Sequence, residues 1–222
     1  FATALNENGK AALVMAHSAS DAGGSELEIR KKMIQDGIIS QMVTLPSNMF
    51  STVTLPATLW FFNKQRTHKD EILFIDARNI FTQVDRAHRK FSDEQIKNLG
   101  IITRLYEGDS YAFWALIDEY KAEGKQEEVD WLLERWPDGT YRDVIGLCKV
   151  AKIAGEDGIE DNDWSLNAGR YVGVVIEDDG MTESEFRQEM LSLNGEFSQL
   201  SAEAADLQKE IEKNMKDLFG EE

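Results

Sequence analysis

A chain of 222 residues with 42% apolar content is long enough to bury a core without cross-links. A single cysteine, Cys148, and three scattered histidines, His17, His68 and His88, exclude an internal disulfide and a structural zinc site. No apolar run approaches the roughly 20 residues of a membrane helix and no basic-then-apolar stretch opens the sequence, so a soluble, cytoplasmic chain with no membrane contact is expected.

The formal net charge of −17 is unevenly distributed. Residues 1–91 carry 11 Lys and Arg against 9 acidic residues, whereas residues 92–222 carry 13 against 32. A uniformly acidic chain would repel phosphates, but the first part is free of that bar. The charge step suggests an α/β domain over 1–91, a helical and loop region over 92–180, and a long C-terminal helix over 181–222. The opening residues 1–5 lack an initiator Met and read as the end of a helix, so the sequence is expected to belong to a longer chain.

In chain order, the apolar run at 11–15 predicts a strand of the kind buried in a parallel sheet. His17 stands at its carboxyl end, where α/β sheets place ligands, although a lone histidine is more often an ordinary loop residue. A polar loop through Gly23-Gly24 leads to Ser25 and Glu28, a capping-box pair that predicts a helix over 26–35, stopped by Gly37. Gly-Gly before a helix can cradle an anion; a flexible entry loop is the simpler reading. The runs 38–45, 57–62 and 72–75 are β-branched and aromatic, with a turn-rich segment over 46–51 between the first two. Pro56 fits a strand entry. Arg86, His88, Arg89 and Lys90 form a basic cluster suited to phosphates or to a solvated loop.

Ser92 and Gln95 form a second capping-box pair, and helices are predicted over 111–121 and 127–135, the latter broken by Pro137-Asp138-Gly139. Residues 141–180 read as loops with one short helix. Thr182 and Glu185 then open a helix whose seam alternates four- and three-residue steps. Phe186, Leu193, Leu200, Leu207 and Asn214 form one series; Met190, Phe197, Ala204, Ile211 and Leu218 form the other. This is a heptad seam, with Asn214 in the polar position that fixes register. At ~1.5 Å per residue the helix runs about 55 Å, longer than the ~40 Å of the remaining domain. It is expected to pack on a partner; a fold-back bent at Gly195 is the alternative.

These residues show no dinucleotide fingerprint, Walker loop, nucleophile elbow or zinc-protease motif. Several segments in order nevertheless carry a joint resemblance. They are residues 9–15, Gly24-Ser25-Glu26 with Ile29-Arg30-Lys31-Lys32, Leu45-Pro46-Ser47-Asn48-Met49-Phe50, residues 54–62, Leu73-Phe74-Ile75-Asp76-Ala77-Arg78, and residues 164–173. Together they resemble the modification subunit of type I restriction-modification systems. The resemblance implies the C-terminal half of a Rossmann-like methyltransferase sheet, followed by a helical region and a coiled-coil-type helix. It also implies a parent that methylates adenine N6 in DNA with S-adenosylmethionine, in complex with a specificity subunit and a restriction subunit.

The family's Gly-rich cofactor loop and its Asn-Pro-Pro-aromatic motif lie upstream of the matched region, and this sequence holds no Pro-Pro pair. The fragment itself is therefore expected to be inactive and to bind no cofactor or metal. Residues 16–17 and Ala168 also depart from the family pattern. By resemblance, Phe50 lies in the loop whose aromatic residue stacks on the flipped adenine; a plug for the core beneath the loop is the other reading. Arg86, Arg89 and Lys90 are candidate DNA contacts. Phe186, Met190, Leu193, Phe197, Leu200, Leu207, Ile211 and Leu218 are the expected interface with the specificity subunit, or with a second copy when that partner is absent. The alternatives are a non-enzymatic assembly scaffold built on the terminal helix and a Rossmann-like small-ligand binder.

Overall fold

The computed structural model describes residues 2–50, 53–175 and 181–220. Ser51, part of the expected turn, and the expected boundary at 180 lie outside the described residues. The chain forms two units, Phe1–Val175 and Ile176–Glu222.

In the first unit, five strands form one mixed sheet in the order β1-β3-β2-β4-β7. They are β1 Lys10–Ala16, β2 Ile39–Thr44, β3 Ala57–Asn63, β4 Glu71–Asp76 and β7 Cys148–Lys152. A separate ribbon pairs β5 Thr82–Gln83 with β6 Arg89–Lys90. The helices are α1 Ser25–Gln35, α2 Asp93–Tyr106, α3 Ser110–Ala122 and α4 Gln126–Arg135.

The two-residue period of the strands builds two cores. In β4, Leu73 and Ile75 point to one face and Ile72 and Phe74 to the other, and all four are fully buried. Leu73 and Ile75 join Val43 of β2 and Ile101, Ile102, Phe113, Ile117 and Leu132 of α2–α4. Ile72 and Phe74 join Met42, Trp60, Phe62, Ile34 of α1, and the segment holding Ile159, Leu166 and Tyr171. The helices of the middle segment thus share a core with the sheet of the first.

Four expectations are corrected. The 11–15 run is not buried in a parallel sheet: β1 is an edge strand that pairs antiparallel with β3, and Val14 is 53% exposed. Among the described residues only β2 and β4 pair in parallel. The Ser25-Glu28 box does not form. Gly24 takes the cap position at φ +62, a conformation suited to glycine, and Ser25 becomes the first helical residue. Finally, residues 141–180 contain a strand, β7, paired antiparallel with β4, besides a short 3-10 turn at Ala168–Arg170. The expected helix end at the start of the sequence is a 3-10 turn, Ala2–Ala4.

Other local signals hold. Ser92 and Gln95 exchange both capping hydrogen bonds, Gly37 turns at φ +63, and Pro56 immediately precedes β3, its carbonyl accepting from the His17 N–H at 3.3 Å.

Among its described residues the second unit contains one helix, α5 Glu183–Phe219, opened by a complete Thr182–Glu185 capping box. The helix runs without interruption through Gly195 and buries none of its residues. Among the described residues, no helix is long and apolar enough to cross a membrane.

Candidate functional site

β1 and β2 both run antiparallel to β3, and β2 runs parallel to β4. The carboxyl ends of β1, β2 and β4 therefore open on one edge of the sheet, the edge where α/β folds gather ligand-binding groups.

At the end of β1, His17 Nδ1 lies 3.1 Å from the buried Thr58 hydroxyl. At the end of β2, the 45–56 loop is closed at its base by the Leu45 N–H donating to the Ala57 carbonyl at 2.8 Å. Within it Met49 packs on the core, while Phe50 is 41% exposed. Phe50 is thus not sealed beneath its loop. It borders a cavity of about 530 Å³ together with Met15, His17, Val53, Leu55 and Pro56. Leu55 and Val53 are also exposed, and apolar groups gathered at an open cavity mark a binding surface more often than a stability element. At the end of β4, the Arg78 guanidinium grips the buried Asp76 carboxylate, with Nε donating at 2.9 Å and Nη2 at 2.6 Å. That hydrogen bond raises the arginine's pKa further.

The basic cluster is a hairpin. Arg86 and Lys90 are exposed. Arg89 is half-buried and committed: Nη1 donates to Ser47 Oγ at 2.9 Å, Nε to Gln83 Oε1 at 3.2 Å, and the guanidinium lies 3.9 Å from the Phe81 ring centroid. Its N–H donates to the Asn48 carbonyl at 2.9 Å. His88 pairs with Asp85 at 2.8 Å, and Asp85 is held below the usual carboxylate range, first by the Ala87 N–H and then by His88. The structure therefore joins two features that were separate in the sequence, the Phe50 loop and the basic hairpin.

The Gly23-Gly24 turn offers no anion cradle. Glu26 and Glu28 occupy the first turn of α1, where they oppose a bound anion, and Arg30 already takes the carbonyls of Ala19 and Ala22. Among the described residues, no group of three or more His, Cys, Asp or Glu side chains could hold a metal ion. Cys148 is buried, and burial pushes its thiol up to about 11, far from a reactive thiolate.

Val53 and Leu55 were missed from sequence because isolated apolar residues between two strands have no period. Ser47, Phe81 and Gln83 were missed because their contacts with Arg89 are tertiary or cross-strand.

The sequence matches the N-6 DNA methylase family over residues 1–179. The chain belongs to the N-6 DNA methylase family. It is 33% identical over 213 residues to the type I restriction enzyme HindI methylase subunit of Haemophilus influenzae, a match covering 95% of this chain and 40% of that protein. It is also 33% identical to the MjaIX methylase subunit of Methanocaldococcus jannaschii, over 96% of this chain and 32% of that one. The chain thus spans well under half the length of these methylase subunits. The solved type I restriction-modification methyltransferase subunit from Streptococcus thermophilus shares the fold, with a TM-score of 0.51 at 22% identity over 77% of this chain and 28% of that one. Membership of a methylase family does not favour the scaffold alternative.

Proposed function

We propose that this chain is the C-terminal part of a DNA adenine-N6 methyltransferase subunit in a cytoplasmic type I restriction-modification complex. The parent takes its methyl group from S-adenosylmethionine and works with a specificity subunit and a restriction subunit. The family match carries the reading, and Phe50, exposed at the carboxyl edge beside a cavity, gives it a place in the chemistry.

The shape of the sheet supports a partial Rossmann-like domain. β1 stands at the end of the sheet with no second strand partner among the described residues. Grooves of about 650 Å³ and 780 Å³ flank it, one lined by Leu13, Met33 and Trp60 and the other by Leu59, Phe61 and Leu99. The Trp60 indole N–H is buried without a partner among the described residues. An open, apolar-flanked edge of this kind is rarely left bare, and further strands and helices of the same domain would cover it.

The residues present do not by themselves fit the methyl donor. The one Gly-Gly strand-to-helix turn among the described residues, Gly23-Gly24 between β1 and α1, opens onto the acidic first turn of Glu26 and Glu28. The donor's site therefore belongs to the upstream part, and the chain alone is inactive. When bound there, the donor supplies an electrophilic methyl group for the adenine amine.

This chain's own residues hold the base and the backbone. The exocyclic amine is inaccessible in a stacked duplex, so the adenine must leave the helix. The Phe50 ring offers the extruded base a π-face, which offsets part of the unpairing cost. Arg86 and Lys90 present exposed cations to flanking phosphates. α5 pairs as a coiled coil with a helix of the specificity subunit through Phe186, Met190, Leu193, Phe197, Leu200, Leu207, Ile211 and Leu218, and self-associates without it. All eight are exposed, from 51% at Leu193 to 75% at Leu218.

The test is Phe50→Ala in the full-length subunit assembled with its specificity subunit. Stabilisation of the extruded adenine is expected to weaken by roughly 1–3 kcal/mol, read as lost fluorescence of 2-aminopurine at the target position and slower methylation, with cofactor affinity intact. Wild-type fluorescence and rate would make Phe50 a packing residue.

A further inference from the structure

We propose that Arg89 is a positioning residue, which ties the β5–β6 hairpin to the Ser47–Asn48 segment and so fixes where Phe50 stands. It is not a phosphate contact like its neighbours Arg86 and Lys90. The inference rests on the stacking role of Phe50 proposed above.

The contacts of Arg89 converge on the loop from two sides. Its N–H donates to the Asn48 carbonyl at 2.9 Å, and its Nη1 donates to Ser47 Oγ at 2.9 Å. Asn48 is only two residues from Phe50 and adopts φ +61, a left-handed conformation in which asparagine is tolerated but whose backbone must be held by its surroundings. The base of the loop is closed at Leu45 and Ala57, and Met49 is packed on the core. Ser47 and Asn48 lie between those two anchors, and Arg89 supplies the hydrogen bonds that pin them.

The hairpin needs the same tie. Its strands are two residues each, and a two-stranded ribbon of that size has little stability of its own. Gln83 Oε1 and the Phe81 ring fix the guanidinium in plane, at 3.2 Å and 3.9 Å, so that one fork reaches both the hairpin and the loop. A lysine has no such fork. Among the described residues no hydrogen bond or ion pair engages the side chains of Arg86 and Lys90, and both are exposed. The three cations thus divide into one structural tie and two free charges.

The experiment uses the full-length subunit assembled with its specificity subunit, with two readouts: 2-aminopurine fluorescence at the target base, and the salt dependence of DNA affinity. Arg89→Ala should reduce the flipped-base signal and the methylation rate by about tenfold, the order set by losing charge-assisted hydrogen bonds, and leave the salt slope unchanged. Ser47→Ala, which removes one hydroxyl and no charge, should move the same signal in the same direction by a smaller factor. Adding it to Arg89→Ala should bring no further loss. Arg86→Ala and Lys90→Ala should each lower the salt slope by about 0.9, and their weaker binding should be made good by raising the DNA concentration, whereas the lost signal of Arg89→Ala should persist at saturating DNA.

A fall in salt slope with Arg89→Ala, or a wild-type flipped-base signal in that variant, would overturn the proposal. If Arg89→Ala fails to assemble, Ser47→Ala decides on the same readouts. Phe50→Ala separates the two readings. Loss of signal with Phe50→Ala but not with Arg89→Ala refutes only the role of Arg89, whereas no loss with Phe50→Ala refutes the stacking role itself.

Discussion

Arg30 offers a direct test of how residues 164–172 are held to the sheet. Arg30 is 3% exposed, and its guanidinium donates to the carbonyls of Trp164 at 2.8 Å, Ala22 at 2.7 Å and Ala19 at 3.3 Å. Burial lowers its pKa, and Asp21 partly offsets the shift. Asp21 in turn accepts from Ser165 and Asn167, while Leu166 donates its N–H to the Ser20 carbonyl at 2.9 Å. One arginine therefore joins the loop after β1, helix α1 and the 164–172 segment. Arg30→Met keeps most of the volume and leaves three carbonyls without their donor. Each charge-assisted bond is worth ~1.5–3 kcal/mol, but water reaching the loosened loop recovers part, so a net loss of about 3 kcal/mol is expected. For a chain of this length 1 kcal/mol moves Tm by ~2–4 °C, so Tm should fall by about 6–12 °C. Near-UV circular dichroism, which reports the five tryptophans, all in the first unit, rather than the terminal helix, is the assay, with hydrogen exchange at the Leu166 amide as a local readout. A Tm within about 2 °C of the parent and unchanged Leu166 protection would refute the clamp.

In the terminal helix, the double change Leu200→Glu with Leu207→Glu places two charges in the seam. It should abolish co-purification of the full-length subunit with its specificity subunit, measured by stoichiometry on size exclusion, while leaving the thermal unfolding of the first unit unchanged. Acid stability has a defined source in Glu94, whose pKa drops from 4.5 to about 2, first through its hydrogen bond with Lys125. A carboxylate with a depressed folded-state pKa contributes stability that is present above its unfolded value and is lost as pH falls through the folded one. Loss of Tm between pH 4.5 and about 2 should accordingly be shallower in Lys125→Met than in the parent, and an identical pH profile would remove that pair from the explanation.

What could be read from the sequence was local. The capping boxes at Ser92 and Thr182 formed because the residue before each helix adopts an extended backbone. The same spacing at Ser25 failed because Gly24, at φ +62, took the cap position. The terminal helix was legible because 37 residues repeat one pattern. By contrast, the run 11–15 looked like any short apolar strand, and nothing within it reveals that β3 is its neighbour or that its outer edge is open. β7 was missed because its two lysines and half-buried pattern read as loop, and its place depends on β4, some seventy residues earlier. The candidate site divides the same way. Phe50 was singled out through the family resemblance, whereas the Arg89–Ser47 bond proposed to brace its loop spans 42 residues and has no local signature.

Residues 164–173 contributed to the resemblance without a physical reason. Their contacts supply one. Tyr171 stacks on Phe74 at 4.1 Å between ring centroids and donates to the Ser165 carbonyl at 2.6 Å, so the segment covers the face of the sheet opposite α2–α4.

The most direct measurement is methyl transfer by the full-length subunit carrying this sequence, assembled with its specificity subunit and given labelled S-adenosylmethionine and duplex DNA containing the recognition site. N6-methyladenine in the digested DNA, absent when the 222-residue chain is supplied alone, is the expected result. Transfer to cytosine, no transfer by the assembled full-length subunit, or transfer by the isolated chain would contradict it.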